Sequence, residues 1–202
     1  MILLRLLHAA ILALALATPA AASAQTAAGP SAAQLMDDVM WGRDVGGPFA
    51  LTDHTGRPRT DADFRGKLLL VYFGFTHCPD ICPTDLQTIS LALDQLGAAG
   101  ENVQPLFITL DPERDTPQHL ADYVPQFHPR LIGLSGDVSS IKRAAAAYKV
   151  YYVKTPTTHG DYTIDHSAFI FIVGRNGKYL GFLPPGTSPD RLVAVVRPHL
   201  RE

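Results

Sequence analysis

Cys78 and Cys82 are the only cysteines in a chain of 202 residues, and three residues separate them in Thr76-His77-Cys78-Pro79-Asp80-Ile81-Cys82-Pro83. Two thiolates so placed can exchange disulfides, hold a metal ion, or do both, because the thiolate is the nucleophile and the ligand alike. A purely structural disulfide is a weak alternative: bridging so small a loop would restrain the unfolded chain by only about 2 kcal/mol. A third ligand would separate metal binding from redox exchange, and eight histidines are available. His54 and His159 fall in turn-like stretches, His119 and His128 lie on or beside a helix, and His199 is near the C-terminus. Solvated or packed roles suit these five. His77 adjoins Cys78, and adjacent side chains point differently, so it reads as a neighbour of the site. His166, in Tyr162-Thr163-Ile164-Asp165-His166-Ser167, is the candidate third ligand. The residues alone leave metal binding and thiol exchange equally open.

The elements that must position these groups can be read around them. Leu68 to Phe75 is a near-continuous apolar run, which fits a central strand covered on both faces. Beyond the cysteines, Leu86, Ile89, Leu93 and Leu96 recur at helical spacing, and Gly97 marks the stop. The cysteines therefore sit at the carboxyl end of a buried strand, where α/β sheets place their chemistry. Pro83 is expected at the first helical position, with the Cys82 thiol facing unpaired backbone N–H groups that favour thiolate.

Elsewhere, Phe49–Asp53 reads as a short strand, Val103–Leu110 as a second buried strand, and Ile132–Leu134 as another short one. Thr116-Pro117 opens a helix to about Phe127, and Val138–Tyr148 is a further helix. Ser167–Val173 is apolar and β-rich, with His166 at its entry. Asn176-Gly177 is a hairpin turn to Lys178–Leu183, and a helix from Ser188 to about Leu200 closes the chain. Strands alternating with helices imply an α/β thioredoxin-like fold: a central mixed sheet flanked by helices, with a C-terminal β-hairpin and helix. The Asp111–Pro117 stretch reads as structural, a turn and helix cap with Arg114 pairing to Glu113 or Asp115.

The first 24 residues carry one charge at Arg5, a short apolar run and Ala22-Ser23-Ala24, the layout of a cleavable secretory signal peptide. An uncleaved anchor is the alternative. Residues 25–47 read as a flexible N-terminal segment and 48–202 as the single folded domain. Without residues 1–24, 16 basic side chains face 19 acidic ones. A nearly neutral surface offers no footprint for nucleic acid. No sustained heptad is visible, so a monomer is expected.

Three separated segments, Lys67 to Pro83, Leu110 to Pro117 and Asp165-His166-Ser167, resemble the signatures of the Sco/SenC family of copper chaperones. The resemblance covers roughly residues 48–200. It implies that Cys78, Cys82 and His166 bind copper, as Cu(I), Cu(II) or both. It further implies a periplasmic protein that delivers copper to, or prepares, the dinuclear copper-A centre of a cytochrome c oxidase subunit. Two thiolates and an imidazole suit that ion, since soft sulfur selects Cu(I) and imidazole accommodates Cu(II). Partners implied are the copper-A-bearing subunit, a periplasmic thiol reductant, and another copper chaperone. A thiol–disulfide oxidoreductase is the rival. Dedicated enzymes of this fold usually carry C-x-x-C with a proline opposite, whereas here the segment opposite is Asp165-His166-Ser167.

Overall fold

The computed structural model describes residues 45–158 and 160–200. The expected signal peptide and nearly all of the N-terminal segment lie outside the described residues. Folded structure begins by Val45, which is buried, with the Gly46 N–H donating to the Ala147 carbonyl, three residues ahead of the expected boundary at Pro48.

Nine strands and four α-helices follow in the described chain: β1 (Ala50–Asp53), β2 (Pro58–Thr60), β3 (Leu68–Gly74), α1 (Ile81–Leu96), β4 (Val103–Thr109), α2 (Pro117–Tyr123), β5 (Ile132–Ser135), α3 (Val138–Ala147), β6 (Tyr152–Pro156), β7 (Tyr162–His166), β8 (Ile170–Val173), β9 (Tyr179–Leu183) and α4 (Pro189–Val196). Seven strands form one mixed sheet in the order β2-β1-β5-β4-β3-β8-β9, with β3, β4 and β5 parallel and the others antiparallel. This is the thioredoxin-like arrangement expected, with the C-terminal hairpin β8–β9 and closing helix in place.

β3 is central because of its composition. All seven residues of Leu-Leu-Leu-Val-Tyr-Phe-Gly are buried, as a strand covered by helices on both faces requires. Each fully buried aliphatic or aromatic side chain contributes about 1.5–3 kcal/mol. α1 lays Leu86, Ile89, Leu93 and Leu96 on this core, as their spacing dictates. Prolines trim two expected helices. The helix from Pro117 becomes 3₁₀ at Val124-Pro125-Gln126, and the last helix does so at Arg197–Leu200 around Pro198.

Two features differ from expectation. β2 escaped the sequence reading, and so did a separate two-stranded ribbon, β6–β7, with Tyr152 opposite His166. His166 thus ends a ribbon strand, and the buried strand beyond it starts only at Ile170. In addition, α1 starts at Ile81 with Asp80 as its N-cap, so Cys82 and Pro83 both lie inside the first turn. Pro83 is tolerated there because the first N–H groups of a helix have no intrahelical partner to lose.

Candidate metal centre

The three expected ligands converge. Cys78 Sγ, Cys82 Sγ and a ring nitrogen of His166 lie within 4.8 Å of one another, and Cys82 Sγ is 3.4 Å from His166 Nε2. Register explains the encounter. β8 runs antiparallel to β3 with Ile170 opposite Tyr72, so the chain just before Ile170 passes the carboxyl end of β3. The cysteine turn begins at that end.

Cys82 is fully buried on the inner face of α1, while Cys78 and His166 are half-buried at the rim. Room for the inner sulfur comes from Gly74. A Cβ there would stand 2.9 Å from Cys82 Sγ, 3.0 Å from Phe107 Cε2 and 3.1 Å from Tyr72 Cε1. Phe75 meets the His166 ring edge-on at 5.9 Å. The Nδ1 of His166 lies 3.1 Å from the Ser167 carbonyl oxygen. A carbonyl only accepts, so Nδ1 carries the hydrogen of that bond, and Nε2 is the ring nitrogen that faces the sulfurs. Ligating histidines are commonly oriented by such a bond.

The two thiols are electrostatically unequal. The Cys82 thiol donates to Cys78, and that bond above all pulls the Cys78 thiol down to about 3, against the effect of burial. His166 and the backbone N–H groups of Asp80 and Cys82 add to the lowering. Cys82 moves far up, because it gives that bond, is buried, and faces the Cys78 charge. The Cys82 N–H points at Cys78 Sγ at 3.5 Å. The free N–H groups at the start of α1 therefore serve Cys78, four residues before Cys82, and not Cys82 as its expected place beside Pro83 suggested.

Two residues behind the site escaped the sequence reading. Asp85 is fully buried, and its Oδ1 accepts from the Gly186 N–H at 3.2 Å. Its Oδ2 and the Tyr72 hydroxyl, beside Cys82, have no hydrogen-bond partner among the described residues. Burial first of all pushes the Asp85 carboxyl up. The available signal was an acid three residues after Cys82, on the same helical stripe as Leu86 and Ile89.

The Asp111–Pro117 stretch is structural, with different partners from those expected. Arg114 pairs with Asp111 and, at 3.2 Å, with Asp161, and its guanidinium carbon lies 3.8 Å from the Tyr162 ring centre. The Arg114 Nη1 also donates to the Tyr162 carbonyl at 3.1 Å, and the Tyr162 hydroxyl donates to Asp111 at 2.8 Å. Glu113 pairs with Lys154 of β6 at 2.7 Å. The loop after β4 thereby fastens the ribbon that carries His166. Asp115 turns inward, accepting from Thr76 and Thr109. Of the other histidines, His54 accepts from the Gly133 N–H and His128 from the Arg130 N–H, packed roles as expected. His159 lies outside the described residues.

A thioredoxin-like domain with two thiols and one imidazole gathered at the carboxyl edge of its central strand is built as a metal-binding module for a soft or borderline ion. The family profile described as SCO1/SenC matches residues 39–201. The chain is 40% identical over 160 residues to the human Protein SCO1 homolog, mitochondrial, covering 78% of this chain and 53% of the relative. Among solved structures, ScoI of Bradyrhizobium japonicum with copper bound is 42% identical with a TM-score of 0.72, covering 77% of this chain and 99% of that one. The copper-bound ScoI of Arabidopsis thaliana is 41% identical with a TM-score of 0.74, at 78% and 98% coverage. This chain belongs to the SCO1/SenC family. It spans between about half and three-fifths of the length of the first curated relatives it matches.

Proposed function

We propose that this protein is a copper chaperone of the periplasm, exported by a cleaved signal peptide. It delivers copper to, or prepares, the dinuclear copper-A centre of a cytochrome c oxidase subunit. The observation that carries this reading is the convergence of Cys78 Sγ, Cys82 Sγ and His166 Nε2. The two copper-bound ScoI structures support the identity of the ion. Copper is cargo here. A half-exposed site with three protein ligands can pass its ion on by exchanging them one at a time for a recipient's. Both thiols must be reduced to bind, so a periplasmic thiol reductant belongs among the partners, with a second copper chaperone as a source of the ion.

The test is titration of the reduced mature protein with Cu(I) and Cu(II), repeated with His166→Ala. Unchanged affinity for both ions and an unchanged Cu(II) spectrum in the variant would rule out the three-ligand site.

One feature favours a second reading. The half-buried Cys78 sulfur, with the Cys82 N–H 3.5 Å away to favour its thiolate, is placed to attack a disulfide. Cys78 would form a mixed disulfide and Cys82 would resolve it, leaving the protein oxidised and the substrate with two thiols. Reduction of a disulfide substrate with copper excluded, surviving in His166→Ala, would favour this oxidoreductase role.

A further inference from the structure

Next to the cysteine centre, on the side away from His166, a second group of ligands converges. Asp115 is completely buried at the start of α2, and its carboxylate accepts from the Thr76 N–H at 3.0 Å, the Thr76 hydroxyl at 2.6 Å and the Thr109 hydroxyl at 2.6 Å. No lysine or arginine among the described residues lies within ion-pair distance of it. The nearest basic group is His77, with Nδ1 at 4.0 Å from Asp115 Oδ1. His119 completes the group from the first turn of α2.

The two imidazoles are not placed like independent solvated side chains. Their rings stack at 5.8 Å with 23° between planes, and both aim a nitrogen at the Thr76 hydroxyl, His77 Nδ1 at 3.1 Å and His119 Nε2 at 2.9 Å. The Thr76 hydroxyl spends its one hydrogen on Asp115, so toward both rings it can only accept, and each ring must shift the hydrogen it donates there to its other nitrogen before the inner nitrogen can ligate. His77 Nδ1, His119 Nε2 and a carboxylate oxygen of Asp115 lie within 4.8 Å of one another. Metal–nitrogen and metal–oxygen bonds of about 2.0–2.2 Å would need the exposed rings to swing inward by roughly an ångström.

We propose that His77, Asp115 and His119 form a second metal site, distinct from the cysteine centre, for a divalent ion of borderline softness. Two imidazoles and a carboxylate suit Cu(II) and Zn(II), with Cu(II) bound more tightly, and lack the sulfur that would select Cu(I). The ion would neutralise a buried charge that neighbouring hydroxyls and an amide only solvate. His77 and Cys78 are consecutive, so the two centres share one turn and differ in the oxidation state they prefer.

The test compares two forms of the full chain. One carries Cys78→Ser, Cys82→Ser and His166→Ala, which remove the first centre, and the other adds His119→Ala. Titration with Cu(II), followed by electron paramagnetic resonance, is expected to show one bound equivalent with two imidazole nitrogens in the first form. The second should bind at least about tenfold more weakly, a loss seen even when an outer partner of a ligand is removed. Equal affinities, or no bound equivalent in a form whose circular dichroism is intact, overturn the proposal. A second arm leaves the core untouched. Reduced wild-type protein and the His119→Ala single variant, each preloaded with one equivalent of Cu(I), are titrated with Zn(II) against a chromophoric chelator. The wild type should take up one equivalent that the variant lacks, and identical uptake overturns the site.

Discussion

Gly74 and Cys82 are in mutual contact through an absence: a Cβ on residue 74 would lie 2.9 Å from the Cys82 sulfur, closer than carbon and sulfur can pack. The other close neighbours, Phe107 and Tyr72, are themselves fully buried, so neither can yield cheaply. Gly74→Ala should therefore displace Cys82 and cost about 1–3 kcal/mol, as overpacking does. A lowered urea midpoint together with weakened Cu(I) binding in chelator competition is the expected result.

The inequality of the two thiols has a direct kinetic readout. With Cys78 pulled well below the ordinary thiol range, it stays thiolate through neutral and mildly acid pH. Carbamidomethylation of the reduced protein at Cys78 should stay nearly flat between about pH 5 and 8, where an ordinary thiol near 8.5 slows about tenfold per unit of acidification. The hydrogen bond from Cys82 is the largest cause of the lowering, so Cys82→Ala should restore much of that slope.

Arg114 and Tyr162 hold the His166 ribbon by polar contacts. Tyr162→Phe removes the hydroxyl bond to the buried Asp111 and should cost about 1 kcal/mol, whereas Arg114→Gln removes the nearer of Asp111's two cations, leaving Lys154 at 3.8 Å, and should cost about 1–3 kcal/mol. Amide hydrogen exchange locates the effect. Protection should fall in Tyr152–Pro156 and Tyr162–His166 while Leu68–Gly74 keeps its own.

Asp53 ties the first hairpin. Burial alone would raise its carboxyl, but the Thr55 hydroxyl, the Arg59 guanidinium and the backbone N–H groups of Arg57 and Thr55 hold it well below the usual carboxylate range. A depressed folded value means that the stabilisation is full above the ordinary range near pH 4 and is lost as pH falls through the folded value. Asp53→Asn should destabilise at pH 7 by about 1–3 kcal/mol. The gap to wild type, read from urea midpoints, should narrow as pH drops below about 4.

What could be read from the sequence depended on how strongly burial marked it. Leu68–Gly74 and Val103–Thr109 are continuous apolar runs because helices cover both their faces. The ribbon β6–β7 carries no such mark. Val153, Lys154 and Pro156 are exposed, and beyond the one buried Ile164 the ribbon is held by side-chain bonds to Asp111, Glu113 and Arg114 that no periodicity announces. The cysteines were legible from their place between strand and helix, and His166 from the family pattern. The start of α1 was misjudged because proline tolerates any position in the first turn. Arg114 was assigned to Glu113 or Asp115 by proximity along the chain, but Asp115 is drawn inward by Thr76 and Thr109. The stacked pair His77 and His119 was invisible, since the two are 42 positions apart in sequence.

The cysteine turn belongs to the seven-stranded sheet, whereas His166 ends a two-stranded ribbon outside it. An ion gripped by all three is a fastener between a region that opens only when the whole domain unfolds and one that can open locally. Linkage then works in both directions. The ion adds its binding energy to the order of the ribbon, and anything that loosens the ribbon lowers the hold on the ion by the same amount. On the proposed function, a recipient that pulls Tyr162–His166 away from the cysteine turn would weaken the hold on the ion.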